Sequence, residues 1–243
     1  MENHAKNYRI FVLHQQTENL FNKAVLINAG VKQAHKLGYD CFIIHDVDML
    51  PNLDNNYHCD DSKIRHIGAL VHKYNYRMHY QGLVGGVLAF TYDQFREVNG
   101  FSNSYAGWGG EDDDMFIRII YSCNSLSHDV YGEAKFSMIV HDSDSGNRRN
   151  PNVYLQLMNA GENMKTDGYN SADTFYGVES VRDTSINTDE EFGEGSIVSY
   201  TNVSVSVYDK KVYSFDKRYN FPFSVLAFAF LVTIYVILDF FKK

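Results

Sequence analysis

A continuous apolar run at residues 41–45 is the feature that most constrains the fold of this chain. A run of this length without a polar face is typical of a strand that is buried on both sides of a sheet. Before it come a short strand pattern at residues 8–14 and an amphipathic helix pattern at about residues 21–36. Strand, helix and strand in this order predict an α/β domain with a mixed, largely parallel sheet.

The elements after this start are less regular. Residues 83–90 form a second buried strand pattern, and Thr91 with Gln94 three residues later predicts a capped helix that ends at Asn99-Gly100. A helix at residues 115–121 and a strand at 136–140 follow. We expect mostly loop from 161 to 199, where the chain is polar and acidic, and a late edge strand at 200–208. Residues 1–210 are therefore predicted to form one domain.

The C-terminal segment differs in composition from the rest of the chain. Residues 221–238 contain no charged side chain, and Lys242 and Lys243 follow them. A helix of this length reaches roughly 27 Å at ~1.5 Å per residue, close to the thickness of a bilayer core. We predict a membrane-spanning helix at residues 221–241, with a buried core helix as the alternative.

Charge and cysteine content narrow the classes of partner and compartment. The formal net charge of -8 argues against a nucleic-acid partner. The three cysteines include no CxxC pair, so a structural zinc site is not expected. Cys41 and Cys59 either form a disulfide, worth roughly 3 kcal/mol in an oxidising compartment, or remain thiols.

Two carboxylates, Asp46 and Asp48, follow the buried strand directly, with Val47 between them. Ligands of open α/β sheets bind beyond the carboxyl ends of the strands. Carboxylates at that place suit a divalent cation and the nucleotide diphosphate bound to it.

The block at residues 107–114 is the most specific motif, since three glycines surround the only Trp and four carboxylates follow. Glycine lets the backbone approach a ligand closely. One carboxylate is suited to act as base for a sugar hydroxyl while its neighbours bind adjacent hydroxyls. Met138 and His141, three residues apart at the end of the strand predicted at residues 136–140, are a weaker candidate metal pair.

Together these motifs resemble the β-1,4-galactosyltransferase family in order and spacing over residues 9–171, about two thirds of the chain. The resemblance rests on residues 21–24, Asp46-Val47-Asp48 with Leu50-Pro51, Tyr57 with Cys59, residues 85–87, 99–103, 107–114 and 138–141. It implies a GT-A-type nucleotide-sugar-binding fold, an inverting mechanism, Mn²⁺, a Cys41–Cys59 disulfide, and a lumenal catalytic domain at the Golgi membrane.

The resemblance also assigns roles to single residues. The implied metal ligands are Asp48, Met138 and His141. The implied donor-binding residues are Phe21, Lys23, Asp46, Val47, Asp48, Lys73, Leu83, His141 and the mobile Trp108. The implied acceptor-binding residues are Tyr80, Gly110, Glu111, Asp113 and Tyr154. Asp112 matches the catalytic base, which takes the proton from the 4-hydroxyl of a terminal N-acetylglucosamine as that oxygen displaces UDP.

Departures from the family pattern modify these expectations. Leu83 replaces the Tyr that is usual in galactose-transferring members, which leaves room for a 2-acetamido group and favours UDP-N-acetylgalactosamine over UDP-galactose. Lys23 replaces an Arg and keeps only its charge. Ala106 and Val153 replace a Trp and an acceptor-contacting Arg.

The family's first strand and its uridine-binding motif have no counterpart before Tyr8, so the resemblance implies an N-terminally truncated member. The alternative function is therefore an inactive carbohydrate-binding remnant. A xylose-directed relative is a further alternative, which Met138 disfavours because those enzymes place a second His there. The family's membrane anchor is N-terminal, whereas here the expected membrane contact is the C-terminal helix. Asn202-Val203-Ser204 is a candidate glycosylation sequon.

Overall fold

A computed structural model describes residues 8–52, 57–130, 135–139, 148–187, 197–208 and 234–237. The strands are β1 (Ile10–Gln15), β2 (Cys41–Asp46), β3 (Met49–Pro51), β4 (Ile64–His66), β5 (Leu70–Val71), β6 (Val87–Thr91), β7 (Leu126–His128), β8 (Lys135–Met138), β9 (Tyr176–Asn187), β10 (Ile197–Val207) and β11 (Ile234–Ile237). The helices are α1 (Lys23–Lys36), α2 (Tyr92–Glu97), α3 (Glu111–Tyr121), α4 (Val153–Met158) and α5 (Ala160–Asn163). Short 3₁₀ turns lie at Ile67–Ala69, His72–Tyr74 and Ala172–Thr174.

The predicted strand–helix–strand start is confirmed as β1, α1 and β2. The side chain of Asn22 caps α1 by accepting a hydrogen bond from the backbone N–H of Val25 at 2.9 Å. Gly30 lets α1 lie against β1, because a Cβ at this position would stand 2.6 Å from a methyl carbon of Leu13. The helix thus packs closely on the strand and places its first residue, Lys23, beside the end of β2.

The sheet is mixed, and the expectation that it is largely parallel is wrong. The larger sheet has the strand order β7-β4-β6-β2-β11-β1-β10-β9, and a three-stranded sheet has the order β3-β8-β5. Among the described strands, only the pairs β1/β10, β4/β7 and β5/β8 run parallel. The chain returns antiparallel through β6 and through the β9/β10 hairpin, and apolar runs alone do not encode strand direction.

Two predictions for the second half were also wrong. Strand β9 occupies residues expected to be loop, and β10 lies inside the sheet between β1 and β9 instead of at its edge. Strand β9 was missed because its sequence is mostly polar: it lies at the sheet edge, where a side chain such as Val181 is exposed. Strand β6 begins at Val87, after a Gly85-Gly86 turn, whereas the apolar run suggested a start at Leu83.

Most of the predicted membrane helix lies outside the described residues. The four described residues of that segment form β11, which pairs antiparallel with β1 and with β2. In the described part of the chain, no helix is long and apolar enough to span a bilayer.

The core has two parts, one on each side of the main sheet. The larger contains Phe42, Phe90 and Phe95 beneath α1 and α3, and the smaller surrounds Ile43, Val87 and Phe136. A disulfide joins Cys41 to Cys59, as the family resemblance implied. It fixes the start of β2 and thereby supports the loop that carries the Asp46-Val47-Asp48 motif.

Candidate active site

The Asp46-Val47-Asp48 motif lies at the carboxyl end of β2, as predicted. Asp46 is the last residue of β2, and its backbone N–H donates to the carbonyl of Gly86 at 2.8 Å. Val47 and Asp48 form the turn into β3. The motif is thus held against the Gly85-Gly86 turn that precedes β6.

The pairing of β3 with β8 brings Asp48 and Met138 together. Met138 lies opposite Met49 in the register, and the N–H of Ile139 donates to the carbonyl of Asp48 at 2.8 Å. His141 lies outside the described residues, so its role as a ligand stays a prediction. Among the described residues, no group of three His, Cys, Asp or Glu side chains forms a complete metal site.

The acidic block begins α3, and the glycine just before it is required both by close packing and by its left-handed backbone. Gly110 precedes the helix with φ of 96°, and a Cβ there would lie 2.7 Å from the ring of Tyr105 and 2.8 Å from Val153. Glu111, Asp112 and Asp113 follow in the first turn, where the helix dipole favours negative charge. The motif therefore places three carboxylates at one helix end with little freedom of position.

Lys23 is the cation that faces this cluster. Its ammonium group lies 3.0 Å from Asp46, 3.5 Å from Asp112 and 3.9 Å from Glu111. Burial alone would lower the pKa of Lys23, but the charges of Asp112, Asp46 and Glu111 outweigh burial and raise it well above its usual value. Lys23 thus links Asp46, the first carboxylate of the Asp46-Val47-Asp48 motif, to the acidic block.

Asp112 lies between Lys23 and the backbone of Gly85. A Cβ at Gly85 would stand 2.3 Å from Oδ2 of Asp112, so a larger residue at this position would displace this carboxylate. Burial raises the pKa of Asp112, and the charge of Lys23 opposes that increase. A partly buried carboxylate of raised basicity is suited to accept a proton from a hydroxyl.

Glu111 is a buried carboxylate that is incompletely satisfied. Its Oε2 has no hydrogen-bond partner in the described structure. Burial, and secondly the charge of Asp112, raise the pKa of Glu111 to about 7. An acceptor atom that is buried without a partner indicates a place where a ligand hydroxyl can donate.

The raised pKa of Glu111 predicts that this side chain destabilises the protein at alkaline pH. The unfolded chain releases the proton near pH 4.5 and the folded chain only near 7, so the stability cost grows as pH rises between these values and persists above them. We expect Glu111→Gln to raise the free energy of unfolding by about 2 kcal/mol at pH 8, with no gain below pH 4.5. Urea denaturation at several pH values measures this.

Glu162→Gln is the matched control, because Glu162 lies exposed on α5 and pairs only with Lys165 at 2.7 Å. Its expected effect is below about 0.5 kcal/mol at every pH. A Glu111→Gln variant that is less stable than the wild type at pH 8 would contradict the claim that the ionised carboxylate of Glu111 destabilises the folded protein.

The other two carboxylates of the block differ in environment. Asp113 accepts a hydrogen bond from the hydroxyl of Tyr80 at 2.8 Å. Burial and this bond raise the pKa of Tyr80, which therefore stays protonated. Asp114 points away into the core, where it pairs with the fully buried Arg118 at 2.5 Å. Asp114 therefore anchors α3, whereas Glu111, Asp112 and Asp113 remain the candidates for ligand binding.

The aromatic residues assigned to ligand binding lie at the surface around this cluster. Trp108 is 60% exposed, and its loop is tied to the site because the N–H of Gly107 donates to the carbonyl of Phe21 at 2.8 Å. Tyr80 and Tyr154 are 43% and 75% exposed. Exposed rings of this kind are available to stack on the apolar face of a sugar.

The positions of the remaining predicted residues give less information about their roles. Lys73 is exposed, with its ammonium group 5.7 Å from the centre of the Tyr74 ring. Leu83 is half-buried in the loop before β6. Asn202 lies inside the sheet on β10, and its amide binds Thr184 at 2.8 Å and His14 at 2.9 Å. A glycan on Asn202 would replace one hydrogen of the amide nitrogen that donates to Thr184.

Sequence reasoning missed two features of the site. The first is the contact of Gly85 with Asp112, for which the Gly85-Gly86 pair was an available signal of close backbone approach. The second is the Asp114–Arg118 pair, which the i,i+4 spacing of opposite charges on a helix would have indicated.

Comparison with known proteins identifies two family models that together match more than half of the chain. The N-terminal region of glycosyl transferase group 7 matches residues 1–60, and the model described as the N-terminal domain of galactosyltransferase matches residues 65–142. Among curated proteins, human beta-1,4-galactosyltransferase 3 is 39% identical over 166 residues, which cover 68% of this chain and 42% of the relative. Human beta-1,4-galactosyltransferase 2 is 41% identical over 167 residues, which cover 68% of this chain and 45% of the relative. The chain thus spans less than half the length of these relatives.

Solved structures agree with the sequence comparison. The catalytic domain of Drosophila β-1,4-galactosyltransferase 7 in complex with xylobiose superposes with a TM-score of 0.65 at 28% identity, covering 82% of this chain and 79% of that chain. A mutant of the same enzyme in complex with manganese, UDP-Gal and xylobiose gives a TM-score of 0.62 at 27% identity, covering 82% and 80%.

Proposed function

The chain belongs to the β-1,4-galactosyltransferase family, and on that basis we propose that it is an inverting, metal-dependent glycosyltransferase. The proposed reaction moves galactose or N-acetylgalactosamine from a UDP-sugar to O4 of a terminal N-acetylglucosamine. The relatives named above are galactosyltransferases, which favours UDP-galactose as a donor.

The observation that carries this proposal is the position of Asp112 beside Lys23 and Asp46. The ammonium group of Lys23 lies 3.5 Å from the carboxylate of Asp112 and 3.0 Å from that of Asp46. A base and the residues assigned to the nucleotide diphosphate are thereby a few ångströms apart. This is the separation that a direct displacement at the anomeric carbon between them requires.

The described residues fit a divalent cation at the turn between β2 and β3. The carboxylate of Asp48 is a hard oxygen ligand, and the β3/β8 pairing brings the backbone of Met138 next to that of Asp48. We propose that Asp48, Met138 and His141 hold Mn²⁺, the metal in one solved relative. When bound, the ion would neutralise the negative charge of the leaving diphosphate.

Proton transfer and sugar binding are then assigned to residues of the chain itself. Asp112 accepts the proton of the attacking hydroxyl, and its burial raises its basicity for that purpose. Asp113, held by the hydroxyl of Tyr80, is placed to bind a neighbouring acceptor hydroxyl. Lys23 carries the positive charge that faces the donor phosphates, and Trp108 and Tyr154 offer exposed rings to the sugars.

We expect Leu83 to permit N-acetylgalactosamine transfer as well as galactose transfer. A leucine lacks the ring that a tyrosine would place in the loop before β6, so space remains for the 2-acetamido group. Leu83→Tyr should lower the ratio of N-acetylgalactosamine to galactose transfer by at least about tenfold, which is about 1.4 kcal/mol of discrimination. Competition of the two UDP-sugars for one acceptor measures the ratio, and an unchanged ratio would exclude Leu83 as a donor-specificity residue.

The disulfide is consistent with an oxidising compartment. Disulfides persist in oxidising compartments such as the secretory pathway, and Cys41 is joined to Cys59. We therefore propose that the domain works in the Golgi lumen on glycans that end in N-acetylglucosamine.

Binding of UDP, measured by calorimetry with and without Mn²⁺, tests the proposal against the alternative of an inactive remnant. The enzyme should bind UDP at least about tenfold more tightly with Mn²⁺, and Asp48→Asn should remove the difference. Asp61→Asn, in an exposed turn away from the motif, is the control. Equal binding with and without the metal would reject the proposed donor site.

A further inference from the structure

We propose that His66 and His128 form a hydrogen-bonded imidazole pair that positions the catalytic base Asp112 through the backbone of Gly85. The inference builds on the proposed function, because it treats Asp112 as the base. It assigns to both histidines a role in setting the transfer rate, although neither lies among the ligand-binding residues.

The pair lies behind the site, where two strands run parallel. His66 ends β4 and His128 ends β7, and they are partners in the register. Their Nδ1 atoms are 2.8 Å apart, and Nε2 of His66 lies 2.8 Å from the carbonyl oxygen of Gly85. His66 has no exposed surface, so these two contacts satisfy both of its ring nitrogens.

The contacts determine where the protons lie. A carbonyl oxygen only accepts, so Nε2 of His66 carries the proton that it donates to Gly85. The neutral ring of His66 then accepts at Nδ1 from Nδ1 of His128. Burial lowers the pKa of His66 to about 4. Burial also lowers the pKa of His128, opposed by a hydrogen bond to the backbone of Gln81 and by the charge of Asp129.

Gly85 transmits this constraint to the base. Its carbonyl is held by His66, and its α-carbon faces Asp112 so closely that a Cβ would stand 2.3 Å from Oδ2. The next carbonyl, of Gly86, accepts from the N–H of Asp46 at 2.8 Å. The Gly85-Gly86 backbone is therefore held between the histidine pair and the nucleotide motif, and it forms one wall of the space that Asp112 occupies.

The charged groups around the pair are themselves compensated. The carboxylate of Asp129, next to His128, pairs with Arg65, and Arg65 also donates to the carbonyl of His58 at 2.7 Å. The N–H of Asp129 donates to the carbonyl of His66 at 3.0 Å. On the side of the site, Asp112 faces Gly85 and pairs with Lys23. A protonated pair would have N–H groups facing each other at the two Nδ1 atoms, whereas Nε2 of His66 would still donate to the carbonyl of Gly85.

His66→Phe tests the proposal, because it keeps an aromatic ring and removes both hydrogen bonds. His66→Gln is the rescue variant, since its amide nitrogen can donate to Gly85. His35→Phe is the matched control: His35 also bonds a backbone carbonyl, that of Tyr39 at 3.1 Å, and stacks on Tyr92 away from the site. The measurements are kcat, KM for the UDP-sugar, and the titration midpoint of Asp112 by carboxyl ¹³C NMR.

For His66→Phe we expect kcat to fall about tenfold to a hundredfold, with KM for the donor changed less than about threefold. The midpoint of Asp112 should move by at least about 0.5 pH units, and His66→Gln should recover most of both changes. His35→Phe should alter neither, even if its melting temperature falls equally.

The NMR midpoint keeps this test separate from that of the proposed function, because it needs no turnover. A wild type without transferase activity, whose Asp112 midpoint still moves in His66→Phe, would refute the function and support the positioning. An unchanged midpoint, or changes equal to those of His35→Phe, would overturn the positioning role. If His66→Phe does not fold, His128→Phe is measured by the same criteria.

Discussion

Asp112→Asn is expected to lower the rate of sugar transfer by about a thousandfold while leaving UDP binding intact. An asparagine has nearly the same shape but cannot accept the proton, and loss of a general base commonly costs a factor of 10²–10⁴. Because burial raises the pKa of Asp112, removing its charge should not lower the free energy of unfolding. Steady-state transfer, UDP calorimetry and urea denaturation measure the three quantities.

The neighbouring carboxylate provides the control for this substitution. Asp113 is bonded to the Tyr80 hydroxyl and lies away from Lys23, so Asp113→Asn should mainly raise KM for the acceptor. Equal losses of kcat in the two variants, or an Asp112→Asn variant within tenfold of the wild type, would remove Asp112 from the role of base.

Lys23→Met should have the largest effect on stability. The substitution leaves Asp46, Glu111 and Asp112 without their shared cation, and removing one partner of a buried ion pair typically costs about 3–5 kcal/mol. We expect a loss of about 3 kcal/mol at pH 8, a smaller loss at pH 5, which lies below the pKa of about 7 of Glu111, and at least about a hundredfold weaker UDP binding.

Two substitutions isolate the cause of that effect. Lys32→Met removes a cation from the same helix whose partner, Asp173, is largely exposed, so its cost should be below about 1 kcal/mol. Lys23→Arg keeps the charge and should preserve both stability and UDP binding. If Lys23→Met is as stable as Lys32→Met at both pH values, the account of Lys23 as the shared counter-ion is wrong.

The parts of the fold that the sequence predicts well are those with a strong local signal. The apolar run before Asp46, the helical spacing of α1 and the Thr91/Gln94 capping box each specify one element, and all three are confirmed. Strand β9 has no such signal, because an edge strand with one solvent-facing side needs few apolar residues. Strand direction is likewise set by pairing partners distant in the chain.

The site shows the same division between local and distant information. The family motifs predict which residues bind donor, metal and acceptor, and those roles stay predictions. The structure shows that Lys23, Asp46 and Asp112 lie together. What the motifs do not predict is which side chain lies opposite Gly85, because Gly85 and Asp112 are distant in the chain. The pairing of Asp114 with Arg118 is local, and the i,i+4 spacing of opposite charges was its signal in the sequence.

The most direct test of the central claim is the transfer reaction itself, followed by NMR of the product. The purified protein is incubated with UDP-galactose, Mn²⁺ and a β-N-acetylglucosaminide, in parallel with Asp112→Asn. The account predicts a β-1,4-linked galactoside that requires the metal and is absent from the variant. An α-linked product, a product that Asp112→Asn makes equally well, or no product from a folded, UDP-binding protein would contradict it.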